Sequence, residues 1–305
     1  MAIVRYLLGG CRTSFTLRAI AAVVYVAVAV IAIVPAASFR SSFDAALGAT
    51  VARDVLNNGF SFTIVGDLLR NHGKELSASL GSLVPSLALW LIVNLFFSGG
   101  VIFAAGAGEC TVQEFFQKCA RFMGRLFRLM LLIGIVALLA LLGVSIVLSV
   151  VNEVITNGAL SEDPGFWAFG VDIAVIAIVA LLVLLVDEYA KIALVVEDEP
   201  SALRGLRQSL IFLWSSKLAV VGLTLLILVV FLVLTAVYLG VASVLDSPAI
   251  LAAGGLFVLQ QLLVASRVLL RIAGFGAETA LYQDRRWEQQ YRLGRGGMGA
   301  IIDID

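Results

Sequence analysis

The sequence predicts an all-α, polytopic membrane protein of six transmembrane helices with short interfacial amphipathic helices. Three observations carry this. Five stretches of twenty or more residues hold no charged side chain, and a sixth is interrupted only by Asp172. The 305 residues are 61% hydrophobic and 14% charged, whereas soluble domains average about one quarter charged. Lys and Arg also cluster in alternate connecting segments. A bilayer core about 30 Å thick needs roughly twenty apolar residues per helix, so charge is excluded from these runs rather than merely scarce. The net charge is zero, which gives no bulk field that would attract nucleic acid.

The spans fall at about 19–37, 83–107, 129–151, 166–186, 218–242 and 249–271, within one membrane domain over residues 1–284. Residues 285–305 form a tail. Unpaired backbone groups are intolerable in hydrocarbon, so spanning segments are helices or closed barrel strands. Runs this long, without alternation, are helices. Gly100, Ala104 and Gly108 line one face of the second span, and Ala236 with Gly240 one face of the fifth. Such spacing lets backbones approach closely.

Seventeen of the twenty-one Lys and Arg residues fall on one side of this layout. They lie in the N-terminal arm, the segments between spans two and three and between spans four and five, and the end of span six with the tail. The other side has only Arg40, Arg53, Arg70 and Lys74, all in one long loop. Positive charge marks the cytoplasmic face, which predicts cytoplasmic termini. Cys11, Cys110 and Cys119 fall in or beside those segments, where thiols stay reduced. A cleaved signal peptide ending near Val34-Pro35-Ala36-Ala37 is the alternative for the N-terminus, but its apolar core of about nineteen residues exceeds the usual 7–15.

The two central basic segments read as copies of one device ninety residues apart: Glu109 aligns with Glu199, Thr111 with Ser201, Phe122 with Phe212. Thr111-Val112-Gln113-Glu114 is a capping box. Phe115, Cys119, Phe122 and Leu126 then form an apolar stripe, and Lys118, Arg121, Arg125 and Arg128 a basic one, as an amphipathic helix at the interface requires before the chain turns into span three. The second copy is weaker, with Leu203, Leu206, Leu210 and Leu213 apolar and Arg204 and Arg207 basic. The first arm, with Val4, Leu7, Leu8 and Cys11 apolar, is open as a third copy. Three units would result, each an interfacial helix followed by a transmembrane hairpin. These basic residues either only orient the spans or present a surface to membrane lipids or a membrane or cytoplasmic protein partner. In the outer loop, Phe43, Leu47, Val51 and Val55 predict a helix over Phe43–Leu56, and a shorter one covers Ile64–Arg70.

Little in the chain offers chemistry. His72 is the only histidine, near Asp67 and Glu75, and a metal site wants three or four ligands. No cofactor or metal is expected, and no catalytic arrangement can be built around one imidazole. The tail Gly294-Arg295-Gly296-Gly297-Met298-Gly299 lacks the flanking strand and helix of a phosphate loop and reads as a flexible end. Polar residues inside spans are the better candidates, being costly there. Asn94, Gln260 and Gln261 lie near the midplane, as helix-joining groups or a substrate site, and Asp172 is shallower. Near the cytoplasmic ends of spans four and six, Asp187 or Glu188 reaches the level of Arg267 and Arg271. An ion pair or simple snorkelling of the arginines accounts for that placement.

Ala280-Leu281-Tyr282-Gln283-Asp284-Arg285 after span six, Ser98-Gly99-Gly100 in span two and the paired interfacial helices together resemble a broad set of six-span bacterial inner-membrane proteins. These are similar to the membrane portion attached to some glycerophosphodiester phosphodiesterases. The resemblance covers most of the chain and implies a fold and a bacterial inner membrane, not an activity, because the phosphodiesterase barrel with its catalytic His and acidic residues has no counterpart here. The expected function is non-enzymatic: a scaffold or accessory subunit engaging lipid or a partner through its basic interfacial helices. The alternative is a small transporter or lipid-handling protein with a cavity between spans two, four and six.

Overall fold

The computed structural model describes residues 2–47, 73–156, 163–244 and 250–299. All regular structure among them is helical: α1 (Ala2–Thr16), α2 (Arg18–Leu47), α3 (Gly73–Ala107), α4 (Val112–Thr156), α5 (Asp163–Val196), α6 (Ala202–Val244) and α7 (Ile250–Gly299). Six of these, α2 to α7, contain a segment long and apolar enough to cross a membrane. The chain is an all-α polytopic membrane protein. It divides into two compact units, Ala19–Phe97 and a second made of Met1–Arg18 with Ser98–Asp305.

The first unit holds α2 and the first part of α3. Each helix carries one internal proline, Pro35 and Pro85, and each proline removes one backbone bond, a loss that spanning helices tolerate. α2 runs unbroken to Leu47, so Phe43 continues the first span's helix instead of opening a new one. The rest of the expected outer-loop helices, with Asp67 and His72, lies outside the described residues.

The second unit is built on the ninety-residue repeat. α3 ends at Gly108, whose φ of +80° is left-handed, and the Gly108 amide donates 3.0 Å to the Ala104 carbonyl. Ninety residues on, α5 ends at Asp198 with a φ of +49°, and the Glu199 amide reaches back 3.1 Å to Leu194. Both are left-handed C-terminal caps; Asp tolerates that conformation better than most residues, though less freely than glycine. The predicted capping box then starts α4: the Thr111 amide donates 3.0 Å to Glu114 Oε2, and the Glu114 amide 3.3 Å to Thr111 Oγ1.

Burial follows the same offset. Phe115, Cys119 and Phe122 are buried along one stripe of α4, and Gly205, Ser209 and Phe212 along one stripe of α6. Ile102 and Ala104 are fully buried, as are Ile192 and Leu194. The first stripe is the one the periodicity predicts. In the second copy Leu203 and Leu210 are exposed, so the predicted leucine face turns outward. Small residues at 205 and 209 make the inner face instead, with Gly205 lying against the Ala190 carbonyl and Leu194.

α1 supplies the third copy. Its inner stripe is Ile3, Leu7, Gly10, Ser14 and Leu17, with the spacing of Phe115, Cys119, Phe122, Leu126 and Leu129. Val4 and Leu8 are exposed. The other two amphipathic segments pack on the end of the span before them, and α1, with none before it, packs on α7. A Cβ at Gly10 would run into the Ala273 carbonyl, and one at Gly276 would lie 3.2 Å from Gly10 Cα.

Two boundaries differ from expectation. α4 is one helix of 45 residues, with no break between its amphipathic segment and its span; α6 does break, at Ser216 (φ −122°, ψ 22°). The glycine-rich tail through Gly299 is helical, a continuation of α7.

Candidate functional site

The span ends that meet the amphipathic segments gather most of the unit's charged contacts, and three groups stand out. Glu197, just past the end of α5, accepts the Tyr282 hydroxyl at 2.6 Å and Arg286 Nε at 2.8 Å. Tyr282 is buried, its ring 4.8 Å from that of Phe212, which stacks 5.2 Å from Tyr189. One carboxylate and three rings thus join α5, α6 and α7.

Asp198, next along, joins the two basic segments. Arg121 Nη2 donates to its Oδ2 at 2.5 Å, and Arg125 Nη1 to its Oδ1 at 2.6 Å and its carbonyl at 3.1 Å. The left-handed turn points this carboxylate back toward α4. Lys118 lies over the Phe103 ring at 4.2 Å and has no ion pair among the described residues. Arg204 bonds Glu199 at 2.9 Å, while Arg128 and Arg207 are exposed.

The third group lies where α5 and α7 carry charge into their apolar runs. Asp187 pairs with Lys191 one turn on, so the partner it takes is a lysine of its own helix rather than Arg267 or Arg271. Glu188 is half-buried, and Arg271 attracts it without direct contact. Glu278 is 4% exposed and shares this field. The Tyr189 hydroxyl and Thr279 Oγ1 are buried without hydrogen-bond partners. The arginines lie over rings, Arg267 at 5.0 Å from Phe231 and Arg271 at 5.6 Å from Phe275.

Among the polar residues inside spans, Asp172 accepts 2.6 Å from Asn152 Nδ2, a bond between α5 and α4. Gln260 is exposed and Gln261 half-buried; Asn94, half-buried, belongs to the other unit. No group of three or more metal-ligating side chains exists among the described residues.

Glu197, Asp198, Glu278, Tyr189, Tyr282 and Arg286 escape the sequence reading as site residues. Glu278 had a signal: it is the one charge between Arg271 and Asp284. The 280–285 motif flagged Tyr282 and Gln283 by resemblance, with no reason for their chemistry. The chain matches no family model, no curated protein and no solved structure.

Proposed function

We propose that the protein is a non-enzymatic scaffold or accessory subunit of a bacterial inner membrane, with both termini in the cytoplasm. Its amphipathic segments engage anionic lipid. The observation that carries this reading is that these segments are apolar on two sides. Each buries one stripe and leaves another open beside its cations: Leu8 and Phe15 with Arg5 and Arg12, Phe116 and Phe127 with Arg128, and Ile211 and Trp214, the latter more than 80% exposed, with Arg207 and Lys217. An apolar stripe flanked by cations is what a helix lying in the headgroup region of a membrane needs. Each cation near an anionic leaflet adds about 1 kcal/mol. The Asn152–Asp172 bond favours helix joining over a transport path at that depth.

The test is purification of the full chain with native lipids, followed by mass spectrometry of bound lipids and proteins. Anionic lipid should be enriched over the bulk membrane. Replacing Arg128, Arg207 and Lys217 by Gln should reduce that enrichment at least about twofold. Equal enrichment in both forms would refute lipid engagement by these segments. A stoichiometric protein without lipid enrichment would assign them to a protein partner.

A further inference from the structure

Beside the Asp198 bridge lies a cavity of about 340 Å³, walled by Ile102 and Phe103 of α3, Lys118 and Arg121 of α4, Val195 before the α5 cap and Gln283 of α7. That volume is in the range of small-ligand pockets, roughly 300–1,000 Å³. Three cations stand at this corner, Lys118, Arg121 and Arg125, against the single carboxylate of Asp198. Glu114, one turn back from Lys118, is held by Thr111 as the helix cap, and Glu197, between Val196 and Asp198, is held by Tyr282 and Arg286. The Gln283 carboxamide borders the cavity beside Gly106.

The second copy shows what balances such a corner. Glu197 stands where the first copy has Ala107, and there it holds Arg286 and Tyr282. Gln208 and Ile211 stand in place of Lys118 and Arg121. Position 197 therefore carries an acid where position 107 has none, and Lys118 and Arg121 stand where the second copy has neutral side chains. An anion from outside the chain would fill the role of the missing carboxylate.

We infer that this cavity binds the phosphate headgroup of an anionic lipid, with Lys118, Arg121 and Gln283 on the phosphate oxygens and Ile102, Phe103 and Val195 against the glycerol and first methylenes. Charge-assisted bonds from two cations suit a phosphate monoester best. The apolar half of the wall favours a lipid over free phosphate. The inference rests on the lipid-engaging reading above and adds one defined, saturable site to it.

The full chain in neutral phosphatidylcholine nanodiscs would be titrated calorimetrically, against empty nanodiscs, with short-chain phosphatidic acid, short-chain phosphatidylglycerol and inorganic phosphate. Phosphatidic acid should saturate one site, phosphatidylglycerol should bind more weakly, and inorganic phosphate weakest. Lys118→Gln should weaken phosphatidic acid at least about tenfold, the loss of one charge-assisted bond, and Arg40→Gln, beyond the first span, should leave it unchanged. Ala107→Glu installs the second copy's carboxylate. It should abolish binding while thermal stability holds or rises, which separates loss of the site from loss of the fold. No saturable binding, or Lys118→Gln equal to the parent, would overturn the site. Inorganic phosphate binding as tightly as phosphatidic acid would overturn the lipid assignment. If lipid enrichment responds to Arg128, Arg207 and Lys217 while the cavity titration is flat, the site alone fails; if neither responds, the broader reading fails too.

Discussion

Gly10 occupies a point where two helix backbones touch, and no other residue type fits there. An added methyl would meet the Ala273 carbonyl and the Ala277 amide, both backbone and neither able to swing aside. Overpacking of this kind costs about 1–3 kcal/mol. Gly10→Ala should lower unfolding stability in detergent by that amount. At Gly9 a Cβ meets nothing within 4 Å, so Gly9→Ala should be neutral or stabilising by up to about 1 kcal/mol. Equal effects from the two substitutions would mean that α1 does not dock through Gly10. Periodicity marks apolar residues, so it found Phe115, Cys119, Phe122 and Leu126. It could not find Gly10, Gly205 or Ser209, because a face made of small residues looks polar or blank until the neighbouring backbone is in place.

At the scale of elements, the charged joints are carboxylates at span ends, and they differ in how exposed their partners are. Glu197 accepts the buried Tyr282 hydroxyl and also holds Arg286. Glu197→Ala should therefore cost about 1–3 kcal/mol, the price of orphaned buried donors. Glu199 pairs with Arg204, a mostly exposed side chain, so Glu199→Ala should cost less than about 1 kcal/mol. Chemical denaturation in detergent would rank the two, and a reversed order would contradict the Glu197 joint. The same method applies where α5 faces α7. A double-mutant cycle of Glu188→Gln with Arg271→Gln should show coupling, of order 0.5–3 kcal/mol for interacting residues. The cycle of Asp187→Asn with Arg271→Gln should show less, since Lys191 already holds Asp187. Equal coupling in the two cycles would contradict this division. The capping box was legible because both partners lie within four residues. The Arg121–Asp198 and Tyr282–Glu197 contacts were not, because 77 and 85 residues separate their partners and only the packed helices bring them together.

For the molecule as a whole, the spans were legible from charge exclusion, and two of the three copies from the ninety-residue offset. The third copy needed three dimensions, since α1 closes onto the last helix of its own chain through Gly10, Gly276 and the Tyr6–Asp284 hydrogen bond of 3.0 Å. The basic amphipathic segments are proposed to face the cytoplasm together. Labelling of single cysteines with a membrane-impermeant maleimide tests this placement most directly, in a background with Cys11 and Cys110 replaced by Ser and the buried Cys119 retained. Cysteine would be placed at Lys118, at Arg207 and, beyond the first span, at Arg40. Position 40 should be labelled on intact cells, and positions 118 and 207 only after the membrane is permeabilised. Labelling of 118 or 207 on intact cells, with 40 protected, would contradict that placement.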